Sequence, residues 1–174
     1  ADMAGDEPYW LAVNLNMCAV LTRADRVKAA EYAISELGVT KIILDDGFQH
    51  RRMARDLDIV LVDSEKMFGN ENLLPAGPLR EGMEGFKRVD RLVIVSKNVD
   101  HSRAEKLARI MEKKQGISTF VAKVEPDYAY NIITGELLPK DTTVTALSAI
   151  GQPEQFYQFL KDYDVCLLYT SPSP

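Results

Sequence analysis

Four short runs in the chain are apolar at nearly every position: CAVLT (18–22), KIILD (41–45), DIVLVD (58–63) and RLVIVS (91–96). A strand that packs on one side only alternates apolar with polar residues. A run with no alternation must hide both faces, and in an open sheet that requires parallel strands with helices above and below. The intervening segments fit this demand. ADRVKAAEYAISELG places Val27, Ala30, Ala33, Ile34 and Leu37 at helical spacing and ends on Gly38. SRAEKLARIMEKKQG repeats the pattern, with Ser102 as the expected cap, Leu107, Ile110 and Met111 as the stripe, and Gly116 as the stop. STFVAKV then reads as a further strand. Strand–helix–strand alternation predicts the α/β class, a mostly parallel sheet with flanking helices and right-handed crossovers.

The texture changes after residue 124. VEPDYAYNIITGELLPKD carries aromatics and a TGE turn between two β-prone runs, and reads as a β-hairpin linker over 125–140. A strand from Val144 to Leu147, a tight turn and a helix with Pro153 in its first turn follow, as the start of a second α/β domain over 141–165. CLLYTSPSP, residues 166–174, fits nothing before it and is set aside as a non-native tail. The expected organisation is therefore a core over 1–124, a two-stranded linker, the opening of a second domain and the tail. ADMAGDEPYW begins mid-pattern, which suggests a cut at the front, and it has neither a basic n-region nor an apolar h-region.

Net charge is −5, so no global basic field favours nucleic acid as a partner, although Arg51, Arg52 and Arg55 cluster locally. The two cysteines, Cys18 and Cys166, are far apart and form no CxxC, which argues against a zinc site or a disulfide framework. Cys18, inside an apolar run, is expected to be a small buried hydrophobe. Tyr9 and Trp10 are expected to pack against the sheet.

The polar residues that matter fall at strand ends and in turns. KIILD ends in Asp45, with Asp46 directly behind it and Gly47 and His50 following in DDGFQH. Adjacent carboxylates repel unless a positive charge separates them. Mg²⁺ is a hard cation that takes oxygen ligands and bridges to phosphates, and an apolar strand ending in Asp is the second acidic motif of P-loop phosphotransferases. Gly47 would allow a sharp turn or a close approach, and His50 would bond a phosphate or a second carboxylate. Asp45, Asp46 and His50 would equally suit a metal-dependent hydrolase, as direct ligands of a water-activating ion. In GNENLLPAGPLRE (69–81) a stiff turn-rich loop presents Arg80 and Glu81, either as a phosphate contact or as a surface ion pair. GDEP (5–8) is either a solvated turn or the carrier of a general base.

GDEP, DDGFQH and LLPAGPLRE, in this order and spacing, together resemble the tetraacyldisaccharide 4′-kinase (lipid A 4′-kinase) family, and SAIGQPEQF (148–156) is similar to a later segment of that family. The resemblance runs from about Gly5 to about Val165. It implies a P-loop kinase-like fold and transfer of the γ-phosphate of ATP, with Mg²⁺, to the 4′-hydroxyl of a lipid A precursor disaccharide. It also implies two α/β domains joined by a two-stranded linker, and a peripheral enzyme on the cytoplasmic face of the bacterial inner membrane. By the same match Asp6 is the catalytic base, with Glu7 beside it. Asp45 and Asp46 handle Mg²⁺, His50 is the site histidine, and Arg80 with Glu81 lies near the nucleotide phosphates.

Departures from the family pattern are equally specific. The glycine-rich phosphate loop with its Lys and Ser/Thr lies upstream of GDEP in the family, and this chain holds no GxxxxGK[ST]. The family's membrane-docking N-terminal helix and its downstream Asp-His-His segment are also missing. His101 reads as a polar residue flanking a helix, and Gly82 stands where proline follows the RE pair. The expectation is a central fragment of a kinase, inactive by itself. The rival readings are another P-loop nucleotide-dependent enzyme, the hydrolase above, and a binding module without catalysis.

Overall fold

The computed structural model describes residues 5–97, 101–125, 127–139, 142–148, 153–162 and 166–170. It divides into two compact units, Ala1–Asp58 and Ile59–Pro174.

In the first unit, helix α1 (Asp6–Asn14) starts at Gly5, whose φ of 83° suits glycine. Asp6 and Glu7 occupy its first turn, where the helix dipole favours negative charge, and Pro8 needs no amide partner there. GDEP therefore opens a helix and is not a free turn. Helix α2 (Arg26–Leu37) forms where the periodicity places it. The Asp25 carboxylate accepts from Val27 N at 3.2 Å and Lys28 N at 3.3 Å, and Gly38 closes the helix in the left-handed conformation. The stripe is less buried than expected: only Ala33 is inside, and Ile34 is 59% exposed.

Two of the four apolar runs do not form strands. Residues 18–22 and 41–45 lack regular structure; Ile43 is 95% exposed and Cys18 is exposed. A strand is held by its ladder, and neither run pairs with a neighbour. α1 buries no residue; Tyr9 and Trp10 are exposed instead of covering a sheet.

The second unit realises the parallel sheet. β1 (Ile59–Asp63), β2 (Arg91–Ser96) and β3 (Ser118–Lys123) lie side by side in that order, all parallel, with Ile59 opposite Arg91 and Arg91 opposite Ser118. A 3-10 helix (Met83–Arg88) precedes β2, and helix α3 (Ser102–Gln115) joins β2 to β3. α3 lays Ala104, Ala108 and Met111 on Val62, Leu92 and Ile94, which form the core. Phe68 and Phe86 extend it edge to face, with centroids 5.3 Å apart. Only one face is covered this way: Leu61 and Phe120 on the other are 66% and 56% exposed. The cap of α3 is His101, not Ser102, which is its first helical residue, and Gly116 ends the helix as expected.

Beyond the sheet, Tyr130 bridges Leu137 antiparallel around a turn closed by Gly135 N donating to Asn131 O at 2.7 Å. β4 (Thr143–Ala146), α4 (Pro153–Asp162) and β5 (Cys166–Thr170) form a second, two-stranded parallel sheet with its helix. The expected turn before Pro153 lies outside the described residues. The backbone of 166–170, assigned to the tail by composition, runs as the strand beside β4.

The carboxyl ends of the main sheet are tied by charge. Asp63 accepts from Glu65 N at 2.8 Å and Lys66 N at 3.2 Å, and its other oxygen meets Lys97 Nζ at 3.2 Å. Partial burial pushes the Asp63 pKa up, but the two amide bonds and Lys97 together outweigh it and hold the carboxyl below its ordinary range. A depressed folded pKa contributes stability above the unfolded value and loses it as pH falls through the folded one. Asp63→Asn is therefore expected to flatten the acid limb of a urea-denaturation series below about pH 4. The loss at neutral pH is at most about 1 kcal/mol, because Lys97 is 40% exposed and the pair is screened. An unchanged acid limb would contradict this.

Candidate functional site

The first unit contains an open cavity of about 390 Å³, lined by Asp6, Glu7, Trp10, Leu11 and Asp45. Three of the acids singled out in the sequence thus border one space, whose lining surface is mostly apolar. α1 supplies four of the five lining residues. Asp6 and Glu7 come from its first turn, and Trp10 and Leu11 from the next, one helical turn further along. Asn14 Nδ2 donates to Trp10 O at 2.8 Å and ties the end of the helix to this turn.

Asp45 arrives from the other side, on the turn that opens DDGFQH. That turn is tight. A Cβ on buried Gly47 would stand 2.6 Å from Leu44 Cβ, so glycine is needed here because the chain packs against Leu44. Asp46 adopts a left-handed φ of 50°, a conformation that Asp tolerates better than most residues. His50 N donates to Gly47 O at 3.0 Å. Asp45, Asp46 and His50 are all exposed, so the acid pair sits on a solvated turn and does not crown an interior strand. Asp46 and His50 share the turn with Asp45 but do not line the cavity.

Arg55 holds this loop in place, and the sequence reading saw it only as part of a basic cluster. It grips Asp58 with two parallel bonds, Nε to Oδ1 at 2.7 Å and Nη2 to Oδ2 at 3.1 Å, and its Nη1 donates to His50 O at 2.8 Å. The i, i+3 spacing of Arg55 and Asp58 was the available signal. Trp10 and Leu11 were also missed as site residues. An acid pair and a proline opening an apolar stretch mark a helix start, and would have placed them one turn above Asp6.

Arg80 and Glu81 belong to the second unit. Their loop is built around Asn70, whose Nδ2 donates to Ala76 O at 2.9 Å, and Leu74 N donates to Leu79 O at 2.9 Å. A Cβ on Gly77 would fall 2.1 Å from Asn70 Oδ1, so the loop closes only with glycine there. The Leu74–Pro75 bond is cis. Arg80 is exposed, whereas Glu81 accepts from Arg88 Nη2 at 2.7 Å. The ion pair of this loop runs from Glu81 to the 3-10 helix. His101 stands at the head of α3 with Nδ1 2.9 Å from the buried Ser96 hydroxyl and Nε2 3.8 Å from Glu125, a structural post as expected.

The donor set at the DDGFQH turn has the chemistry to hold Mg²⁺. Two adjacent exposed carboxylates match an ion that keeps several waters and takes one or two protein oxygens. No group of three or more His, Cys, Asp or Glu able to hold a metal exists among the described residues, so the three-ligand centre of the hydrolase reading is not assembled there.

The family model for tetraacyldisaccharide-1-P 4′-kinase matches residues 1–172. The chain belongs to this family. Among the relatives of the tetraacyldisaccharide-1-P 4′-kinase family, the tetraacyldisaccharide 4′-kinase of Francisella tularensis subsp. novicida (strain U112) is 34% identical over 168 residues, 93% of this chain and 50% of the relative. That of Shewanella sp. (strain W3-18-1) is 38% identical over 157 residues, 90% of this chain and 42% of the relative. That of Colwellia psychrerythraea (strain 34H / ATCC BAA-681) is 34% identical over 166 residues, 92% and 45% respectively. The chain thus spans about half the length of the curated relatives it matches. No solved structure matches it. No described helix is long and apolar enough to cross a membrane.

Proposed function

We propose that the protein to which this chain belongs transfers the γ-phosphate of ATP to the 4′-hydroxyl of a tetraacyldisaccharide 1-phosphate, the lipid A precursor, at the cytoplasmic face of the inner membrane. The observation that carries this reading is the cavity shared by Asp6, Glu7 and Asp45, found in a chain matched almost end to end by the kinase family.

Asp6 takes the proton of the attacking hydroxyl as the oxygen bonds to phosphorus and the bond to ADP breaks. A carboxylate within one hydrogen bond of the hydroxyl suffices for this. Glu7, its neighbour on the same turn, orients a second hydroxyl of the sugar. Asp45 and Asp46 would hold Mg²⁺, which when bound neutralises charge on the transferring phosphoryl group. His50, fixed through its backbone by Arg55 and Gly47, offers an exposed imidazole on the same loop for a phosphate oxygen. By the family match alone, Arg80 and Glu81 are assigned to the nucleotide phosphates; Glu81 also accepts from Arg88 Nη2.

In this reading residues 1–124 are the kinase core, 125–140 the linker and 141–165 the opening of the second domain. The span is inactive alone, because it carries Asp6 and Asp45 without a glycine-rich cradle for the β- and γ-phosphates. Labelled ATP and the disaccharide acceptor test this. Turnover is expected from a full-length relative and none above background from this chain; transfer by the chain alone would overturn the assignment of inactivity. A full-length relative that phosphorylates some other acceptor and not the disaccharide would overturn the substrate.

A further inference from the structure

We propose that Asn70 is a positioning residue for Arg80: its side-chain amide fixes the loop limb from which the guanidinium is presented. This rests on the assignment of Arg80 to the nucleotide phosphates. The Asn70 amide uses both of its ends inside the loop. Oδ1 accepts from Asn72 N at 3.1 Å, on the outgoing limb, and Nδ2 donates to Ala76 O at 2.9 Å, on the returning one. Asn72 O in turn accepts from Leu79 N at 3.2 Å, and Leu79 O accepts from Leu74 N at 2.9 Å. The outgoing limb therefore holds Leu79 at both its amide and its carbonyl, and Arg80 is the next residue. On its other side Arg80 adjoins Glu81, which accepts from Arg88 Nη2 at 2.7 Å. The backbone of Arg80 thus runs between two held neighbours, while the residue itself is exposed.

The two bonds of Asn70 need an acceptor and a donor on one short branch, which a side-chain amide supplies. Aspartate would keep the bond from Asn72 N but set a carboxylate oxygen against the Ala76 carbonyl. The limbs close tightly on this amide. A Cβ at Gly77 would collide with Asn70 Oδ1 and Asn72 O, and one at Gly69 would stand 2.6 Å from Pro78 Cγ. Asn70 is itself exposed, so water replaces the bonds lost on its removal and the fold loses little. A guanidinium, by contrast, meets phosphate through a fork of fixed geometry, and catalysis is sensitive to small displacements of such a clamp. The loss of Asn70 should therefore appear in the use of the nucleotide and not in stability.

The test is a double-mutant cycle in the full-length protein, with rates measured against ATP and against the disaccharide acceptor. Asn70→Ala is expected to lower kcat/KM for ATP about tenfold, while KM for the disaccharide stays within about twofold. Asn70→Asp is expected to fall nearly as far, because the link to Ala76 is lost in both. In an Arg80→Ala background, Asn70→Ala is expected to cost less than about twofold more, because Asn70 acts through Arg80. The midpoint of thermal unfolding is expected to move by less than about 3 °C in either Asn70 variant. Losses that multiply in the double variant, or a KM for the disaccharide that rises as much as that for ATP, overturn this inference and leave the nucleotide assignment of Arg80 standing. So does a fall of more than about 10 °C in the unfolding midpoint, which would make the amide a general support of the fold. An Arg80→Ala protein with unchanged kcat/KM for ATP overturns the assignment of Arg80, and the positioning role with it.

Discussion

Asp6→Asn in a full-length protein of this family is expected to lower kcat by about 10²–10⁴, the range that a positioned general base contributes. KM for the disaccharide should change less than threefold. The residue sits in the first turn of α1, exposed and facing the cavity, so the amide fills the same volume and leaves the fold intact. What it loses is the ability to accept and keep a proton, a need that arises only in the transition state. An effect confined to the transition state lowers kcat and kcat/KM together. Glu7→Gln, one residue along, should cost much less, because an amide still accepts a hydrogen bond from a sugar hydroxyl. If the two variants prove equally damaging through KM, Asp6 binds the sugar and does not move its proton.

The second large effect concerns the acid pair. Asp45→Asn and Asp46→Asn should each raise the Mg²⁺ concentration needed for half-maximal rate, and the double variant should lose about a hundredfold in turnover at physiological Mg²⁺, roughly 3 kcal/mol of charge stabilisation. Neither carboxylate is buried, and replacing Asp45 removes repulsion between neighbours. Stability of the Asp45→Asn variant should therefore hold or rise slightly while metal dependence worsens. That opposite movement separates a metal role from a structural one. A stability loss with unchanged Mg²⁺ dependence would assign the pair to the turn alone.

The second unit was legible because its signals are local and mutually consistent. DIVLVD, RLVIVS and STFVAKV are apolar runs separated by a 3-10 turn and a helix with a glycine stop, and they pair in sequence order. CAVLT and KIILD carry the same signal, yet they form no strand. A strand is completed by its neighbour, and an apolar run states only that a neighbour is wanted. For the same reason Cys18 and Ile43, read as buried, stand in solvent. The site was readable in part. The acids of GDEP and DDGFQH were named from their chemistry, and Asp6, Glu7 and Asp45 do face one cavity. The supporting residues were not named, because a bidentate grip such as that of Arg55 on Asp58 depends on how a loop closes, and side-chain type does not reveal it. Glu81 was set beside Arg80 by adjacency, and its bond from Arg88, seven residues on, was not foreseen.

A shared site requires Asp45 to stand close to the face of α1 that carries Asp6 and Trp10. Mn²⁺, a paramagnetic stand-in for Mg²⁺, tests this directly when titrated into the ¹⁵N-labelled chain. Binding at the acid pair should broaden the indole N–H of Trp10 and the amides of Asp6 and Glu7 together with those of the DDGFQH turn, and Asp45→Asn with Asp46→Asn should abolish that pattern. Broadening spread over the surface acids alike, or an indole signal that stays sharp while the amides at 45–50 vanish, would mean that the metal-binding turn and the proposed base do not share a site.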